Sequence, residues 1–581
     1  MERKEIAKAL EEIGTLLELK GENPFKIRAY QQAARTVLQI EGDLTELVEN
    51  GGLAKVKGIG KALSEKITEL VTTGRLEYLT KLKESFPPGL FELLKIQGLG
   101  SKKIKALYEN LGITNLGELE YACLENRLLD LKGFGLKTQA NVIKNIETLK
   151  KYRGQFLWSE AEAQALELVK TVDACPAVDR VEPAGDFRRL NEVVKNLTLV
   201  AVSNAPQEVA RFIEDSGAAE SIEHEDQTEI GLSLQSGLKA RLHLVSKEAF
   251  ACAWHHFTGS EVYIGLMQQR AETMGLKLNS RGLFDREGRL RPVSDEAEIF
   301  ALLDLPLIPA ELREGRGEIE AAATKNIPDL VSFSDIKGVF HVHSNYSDGG
   351  LSITESVGWC LEHGYEYLGL SDHSQTAVYA GGLSLEDLKR QLEEVEEIRS
   401  QYPDFRLFWG IESDILPDGS LDYHEDVLAG FDFVIASVHA AFNLSEKEMT
   451  DRLIRAVQNP YTTILGHPTG RLLLAREPYA VDLHAVLAAA ADTGTIIEIN
   501  ANPHRLDLDW REMQHAKSLG LKMMIGPDAH SLDGLTHIRY GVQAARKGWL
   551  APSDVLNCLS RQDLAGFLEN LHRKKKKQYE K

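Results

Sequence analysis

Cysteine is scarce: the 581-residue chain has five, Cys123, Cys175, Cys252, Cys360 and Cys558, none at the close spacing of a thiolate metal site or a redox pair. That excludes a disulfide framework and a cysteine-ligated structural zinc, and it fits a reducing, cytoplasmic setting. Long apolar runs are missing too. No stretch approaches the roughly 20 residues that span a bilayer, and the opening Met1-Glu2-Arg3-Lys4-Glu5 is charged where a secretory signal is apolar, so no membrane partner is expected. Net positive charge is the third absence. A formal charge of -20 argues against nucleic acid as a partner, provided the acid is evenly spread. It is not: residues 1–150 hold 23 Lys+Arg against 21 Asp+Glu, and the rest 44 against 66. What is present is 43% hydrophobic residues, on a length that accommodates about three to five globular domains.

The near-neutral N-terminal part carries a repeat. Val56-Lys57-Gly58-Ile59-Gly60-Lys61, Ile96-Gln97-Gly98-Leu99-Gly100-Ser101 and Leu131-Lys132-Gly133-Phe134-Gly135-Leu136 each place an apolar residue and a spacer before Gly-apolar-Gly. Each then opens a helix with lysine near its start: Lys61, then Lys102 and Lys103, then Lys137. Paired glycines permit a tight turn at which backbone N–H groups and the helix N-terminus face outward, an arrangement suited to a phosphate. The repeat predicts helix-hairpin-helix modules that bind DNA through its backbone, without sequence preference.

Downstream, nine ligand-type residues stand at the ends of apolar runs or in the turns beside them: His341, His343, Asp348, His373, Glu412, His439, His467, Asp528 and His530. His341 and His343, two apart on a strand, project to one face. A polar residue closing each apolar run is how parallel strands present a site on one rim. Imidazoles and carboxylates without thiolates suit divalent Mn, Zn or Fe. Such ions supply hydroxide near neutral pH and clamp phosphoester oxygens.

His341 to Gly349, Ser371-Asp372-His373, Gly410-Ile411-Glu412, Ser437-Val438-His439, Gly466-His467-Pro468 and Asp528-Ala529-His530 resemble the metal motifs of the polymerase and histidinol phosphatase (PHP) domain. That resemblance implies a distorted (β/α)7 barrel with up to three metals at its C-terminal rim. His341, His343, Glu412 and Asp528 would form one pocket, His439 and His467 a second bridged by Glu412, and Asp348, His373 and His530 a third. A metal-bound hydroxide would be the nucleophile, with Asp372 orienting His373 or a water. Arg471 and Arg505, just beyond strand-like runs on this rim, are candidate phosphate contacts.

The N-terminal part, including Asn23-Pro24-Phe25-Lys26-Ile27-Arg28-Ala29-Tyr30, resembles the DNA-end-binding and fingers portions of family X DNA polymerases. Lys66 occupies the place of that family's Schiff-base lysine, whereas the second lysine of that helix in animal members is Ala62 here. Ala184-Gly185-Asp186-Phe187-Arg188-Arg189, Phe257-Thr258-Gly259-Ser260 and Asn279-Ser280-Arg281-Gly282-Leu283-Phe284 resemble the palm and thumb. In active members the first stretch reads Gly-Ser and three aspartates follow on two strands. Here Asp186 replaces the serine, while Asn196, Thr198 and Arg241 stand at the three aspartate positions. An amide, a hydroxyl and a guanidinium cannot hold the magnesium ions of nucleotidyl transfer, and Asp186 is expected to repel a triphosphate.

The expected organisation is therefore a DNA-end-binding helical domain over 1–80, a fingers-like region over 81–150, a degenerate α+β nucleotidyltransferase-like palm and thumb over 151–308, a linker over 309–335 and a PHP phosphoesterase over 336–575. The basic run Arg573-Lys574-Lys575-Lys576-Lys577 is expected to be a solvated end. The resemblance implies a monomeric, nucleoid-associated bacterial repair enzyme acting on gapped DNA or 3′ ends. It would be a metal-dependent 3′-to-5′ exonuclease or 3′-end phosphoesterase without polymerase activity. Three other readings stay open: an active polymerase with an exonuclease attached, a small-molecule phosphatase of the histidinol phosphate type, and a non-catalytic DNA-end scaffold with structural metals.

Overall fold

A computed structural model describes residues 3–38, 40, 44–96, 98–124, 127–152 and 154–579; Gln97 of the second hairpin lies outside them. The chain divides into two units, Met1–Arg153 and Gly154–Lys581, and each is considered by itself.

In the first unit the helix Arg3–Lys20 buries Ile6, Leu10, Ile13 and Leu17, the one-sided stripe of an amphipathic helix. The same core takes the middle residue of each predicted hairpin, Ile59, Leu99 and Phe134. The glycine before each anchor has positive φ, +95° at Gly58, +83° at Gly98 and +93° at Gly133, a conformation that a Cβ would penalise. Gly60 and Gly100 then sit as extended N-caps of helices Lys61–Thr73 and Ser101–Leu111, and Gly135 precedes helix Leu136–Tyr152.

The second unit begins with a five-stranded sheet in the order Arg180–Ala184, Asn196–Val202, Lys239–Val245, Glu229–Ser233, Ser221–Glu225. Only the Asn196–Val202 and Lys239–Val245 pair is parallel, and its register sets Thr198 opposite Arg241. Helices Trp158–Asp173 and Pro206–Ser216 bury one face. Phe250 and Ala253 of helix Phe250–Thr258 pack against Val200 and Val202 on the other. The stretch 309–335, expected as a linker, is packed rather than free. Arg313 is 1% exposed and ion-paired to buried Glu296, and a buried ion pair holds only while both partners stay fixed.

Beyond it, seven parallel strands run in sequence order: Gly338–Val342, Tyr367–Leu370, Arg406–Asp414, Phe433–Ser437, Ile464–Leu465, Ile496–Asn500 and Met523–Gly526. The sheet nearly closes, because Ala529 accepts from His343 N at 2.9 Å and donates to His341 O at 3.1 Å. Phe340, Tyr367, Phe408 and Phe433 fill the interior. Gly369 and Gly410 make room for them, since a Cβ there would strike the Phe340 and Phe433 rings. The far end is plugged by helix Arg561–Tyr579, whose Leu564, Leu568 and Leu571 join the interior aromatics. The basic run ends an ordered helix, with Arg573, Lys574, Lys576 and Lys577 exposed as expected and one member turned inward, Lys575, which is 2% exposed. It donates to Val457 O at 3.1 Å, to Thr462 O and to Thr495 Oγ1 at 2.7 Å, and burial pushes its pKa down to about 7. Amphipathic spacing, with leucines at 564, 568 and 571, carries the lysine inward with its helix face.

Candidate metal centre

Closure of the barrel gathers the ligand-type residues, because strands far apart in sequence end on one rim. His341 and His343 meet Asp528 across the seam, with His343 Nε2 3.2 Å and His341 Nε2 3.5 Å from Asp528 Oδ1. Glu412 lies at the middle. Its Oε1 is 3.3 Å from His341 Nε2, 3.3 Å from His439 Nε2 and 3.0 Å from His467 Nε2, and its Oε2 is 3.0 Å from His373 Nδ1. Asp348 Oδ1 closes the solvent side, 3.1 Å from His530 Nε2 and 3.6 Å from His373 Nε2. All nine expected residues thus converge. Three groups come within ligating reach of a common ion: His343, Asp348, His373 and His530; His341, His343 and Asp528; and His373, Glu412 and His439. The expected pockets recur in outline but differ in membership: His343 and His373 each belong to two groups, Glu412 groups with His373 and His439 and not with His341 and Asp528, and His467 falls in none of the three.

The donor set fits divalent ions. His341 Nε2, both ring nitrogens of His343, Glu412 Oε2 and His467 Nδ1 are buried without a hydrogen bond, which is costly for a polar atom unless something else engages it. Three of the nine also hold strained backbones, φ +64° at His341, +24° at His467 and +53° at Asp528. Each costs on the order of 1–3 kcal/mol and persists where function over-determines the geometry.

Supporting carboxylates orient the rings. Glu498 is ion-paired to His341 Nδ1 and accepts from His467 N at 2.6 Å. Asp414 Oδ1 lies 2.6 Å from His439 Nδ1 and its Oδ2 accepts from Thr376 Oγ1 at 2.8 Å. Holding one ring nitrogen leaves the other to face the cluster. Gly526 is required here, because a Cβ would meet Glu498 and His341. Sequence reasoning missed Glu498 and Asp414, although Ile496-Ile497-Glu498-Ile499-Asn500 is one more apolar run carrying a carboxylate. Asp372 does something other than expected. Its carboxylate accepts from Ser344 N at 2.7 Å, Ser344 Oγ at 2.6 Å, Ser347 Oγ, and Gln391 Nε2 at 2.6 Å, so it fastens the turn between His343 and Asp348.

The carboxylates make this a strongly cation-seeking site. Burial opposes charge on His439, but Glu412 and Asp414 outweigh it and raise its pKa to about 10. Asp348 and Asp528 likewise raise His530 to about 9. Metal ligation needs neutral imidazole, so below these pKa values each incoming ion must displace protons, and affinity rises with pH. Against its burial, carboxylates hold His341 well above its ordinary pKa as well, so loading the metal-free protein near pH 7.5 is expected to release on the order of three protons. A titration enthalpy independent of the buffer's ionisation enthalpy would contradict this.

The two candidate arginines part ways. Arg471 spends its guanidinium on Arg505 O at 2.9 Å, on Leu506 O and on Asp509, and is only 7% exposed, so it clamps a loop and has nothing left for phosphate. Arg505 does face the cluster, with Nε 3.5 Å from Asp528 Oδ2.

In the palm, Asn196 and Arg241 are exposed and Thr198 half-buried along adjacent strands, with no carboxylate at any of the three positions. Asp186 is not a free charge: its Oδ1 accepts from Arg189 at 2.6 Å and Asn191 at 2.8 Å. Arg188 pairs with Glu296, 2.5 Å away, and Arg189 with Glu314 at 2.9 Å, so both arginines bind palm to thumb. In the first unit Lys66 Nζ lies 3.4 Å from Ala62 O and 4.8 Å over the Tyr78 ring.

Family comparisons agree with this layout. A helix-hairpin-helix domain matches residues 1–76 and a SAM-like helix-hairpin-helix tandem residues 90–148. A DNA polymerase beta thumb matches residues 253–314, running into the stretch expected as linker, and a PHP domain residues 340–502. A "probable phosphatase" of Thermoanaerobacter sp. (strain X514) is 29% identical over 252 residues, 41% of this chain and 95% of that protein. The "DNA polymerase/3'-5' exonuclease PolX" of Bacillus subtilis (strain 168) is 36% identical over 572 residues, 98% of this chain and 100% of that protein. With that identity over nearly the whole of both chains, and with hairpins, thumb and PHP domain matched along this one, the chain belongs to the PolX family, a family X polymerase body followed by a PHP domain.

Proposed function

We propose that this protein hydrolyses DNA from its 3′ end at the barrel rim and that its palm no longer polymerises. The observation that carries the reading is the convergence of nine imidazole and carboxylate residues on one rim, with Glu412 at their middle, in a chain whose first unit presents three phosphate-type hairpins. The Bacillus subtilis relative is named for both activities. Ions held by the nine residues would supply a water acidified to near neutral pKa and neutralise phosphate oxygens. The chain's own side chains do the rest. Glu498 and Asp414 fix the rings of His341 and His439, Asp372 holds the turn that carries Asp348, and Arg505 offers a cation to the substrate phosphate.

Loss of polymerisation rests on Asn196, Thr198 and Arg241, which give magnesium no anionic oxygen. The palm and thumb then serve as scaffold. The test compares single-stranded DNA, labelled at its 5′ end, with histidinol phosphate as substrates of the full-length protein in Mn²⁺. Stepwise 3′ shortening with poor histidinol phosphate turnover is expected, and the reverse preference would favour the small-molecule phosphatase.

The hairpins add a second expectation. A segment spanning residues 1–153, which has its own core, should bind DNA of any sequence with an affinity that falls with salt at a log–log slope of a few units. Salt-independent binding, or a strong preference for one sequence, would rule out backbone-directed hairpins.

A further inference from the structure

Two arginines stand beside the cluster, Arg505 paired only to a carboxylate of the cluster itself and Arg476 with no carboxylate within ion-pair distance among the described residues. Arg505 sits in the turn after strand Ile496–Asn500, 18% exposed, with Nε 3.5 Å from Asp528 Oδ2. Arg476 belongs to the loop after His467. Its Nε and one terminal nitrogen both donate to Gly470 O, at 3.0 and 2.7 Å, and its guanidinium lies 4.3 Å over the Phe442 ring. No carboxylate among the described residues pairs with it. The two loops are tied together, Leu473 N donating to His504 O at 2.7 Å and Arg471 Nε to Arg505 O at 2.9 Å. Burial and then the charge of Arg505 work against the charge on Arg476, and Tyr479 and Asp507 offset them only in part, so the guanidiniums repel each other in partly desolvated positions. Holding two like charges there is unfavourable unless an anion lies between them.

The anion is not needed at the ligands themselves. Asp348, Glu412 and Asp528, with Glu498, Asp414 and Asp372 behind them, supply six carboxylates. Divalent ions would balance these and also neutralise the phosphate under attack. Arg505 already engages one of the carboxylates, Asp528, and Arg476 is surplus to that balance.

We propose that Arg476 and Arg505 form a subsite for the phosphodiester adjacent to the scissile one, so that the centre selects polynucleotides over substrates with a single phosphate. The inference rests on the nuclease reading above. Arg476 is a specificity residue that touches substrate away from the reacting atoms, and Phe442 and Gly470 hold its planar fork in place for two-pronged phosphate binding.

The test uses the full-length protein with Mn²⁺ and the variants Arg476→Ala and Arg476→Lys. Two substrates are compared: an oligonucleotide labelled at its 5′ end, and the p-nitrophenyl ester of thymidine 5′-monophosphate, which has one phosphate. Arg476→Ala should raise KM for the oligonucleotide about tenfold with kcat within about threefold, and leave kcat/KM for the chromogenic ester unchanged. Arg476→Lys should fall between, since a point charge replaces a fork. Equal losses on both substrates, or an unchanged oligonucleotide KM, would overturn the subsite. Binding decides independently of turnover. The salt dependence of single-stranded DNA affinity should lose about one unit of slope in Arg476→Ala, and an unaltered slope would overturn the subsite. If the wild-type protein cuts neither substrate, the nuclease reading fails, while the binding slope still reports on the arginines.

Discussion

His343→Ala is expected to reduce 3′-end shortening by about a thousandfold or more, the scale on which loss of a metal-held nucleophile acts. His343 is fully buried and belongs to two of the three ligand groups, one with Asp348, His373 and His530 and one with His341 and Asp528. Removing it opens both at once, and a water in its place brings neither the imidazole's basicity nor its fixed direction. Glu498→Gln should be milder, on the order of 10–100-fold, because it disturbs the partner of His341 and not a ligand. The measurement is the loss rate of full-length oligonucleotide labelled at its 5′ end, with metal content of the same preparation by mass spectrometry. Retained nuclease activity in repurified His343→Ala would place the chemistry elsewhere. A drop in bound metal with unchanged thermal unfolding of the metal-free protein would locate the defect in ligation.

Primer extension by the wild-type palm should be undetectable on a gapped template, with Mg²⁺ or Mn²⁺. Thr198 faces Arg241 directly across the parallel pair, so any cation arriving there meets a guanidinium where it needs an anionic oxygen. Asn196→Asp alone should not restore synthesis, since one carboxylate cannot hold two ions against Arg241. The triple change Asn196→Asp, Thr198→Asp, Arg241→Asp should restore metal binding but not extension. Asp186 remains where the family carries a serine, and its carboxylate is engaged by Arg189 and Asn191, so it offers no donor to a triphosphate. Carrying His343→Ala through the series keeps degradation from hiding synthesis. Template-directed extension by the unmodified palm would show that the catalytic strands are elsewhere and that this is a working polymerase.

The residues of the rim and of the hairpins were legible in the sequence for a local reason. A ligand that ends an apolar run, or a glycine on either side of an apolar anchor, is set by the periodicity and steric freedom of a few neighbouring residues. What lay outside sequence reach depends on which segments meet. Glu412 became the centre because its strand lies mid-barrel, between the strands that bring His373 and His439, and His343 became shared because Ala529 zips the first strand to the last. Arg471 and Arg476 are five residues apart and indistinguishable by composition; only the packing of one loop on another turned the first into a clamp and left the second half-buried on Gly470 and Phe442. One residue of the basic end, Lys575, was misread for the same reason. Charge in sequence says solvent, but three leucines on one helix face and an open barrel end carried Lys575 inside, where carbonyls and a hydroxyl replace its water. Sequence determined the chemistry each segment could offer. Tertiary structure decided which offers combine, because a donor's function depends on neighbours that chain order does not specify.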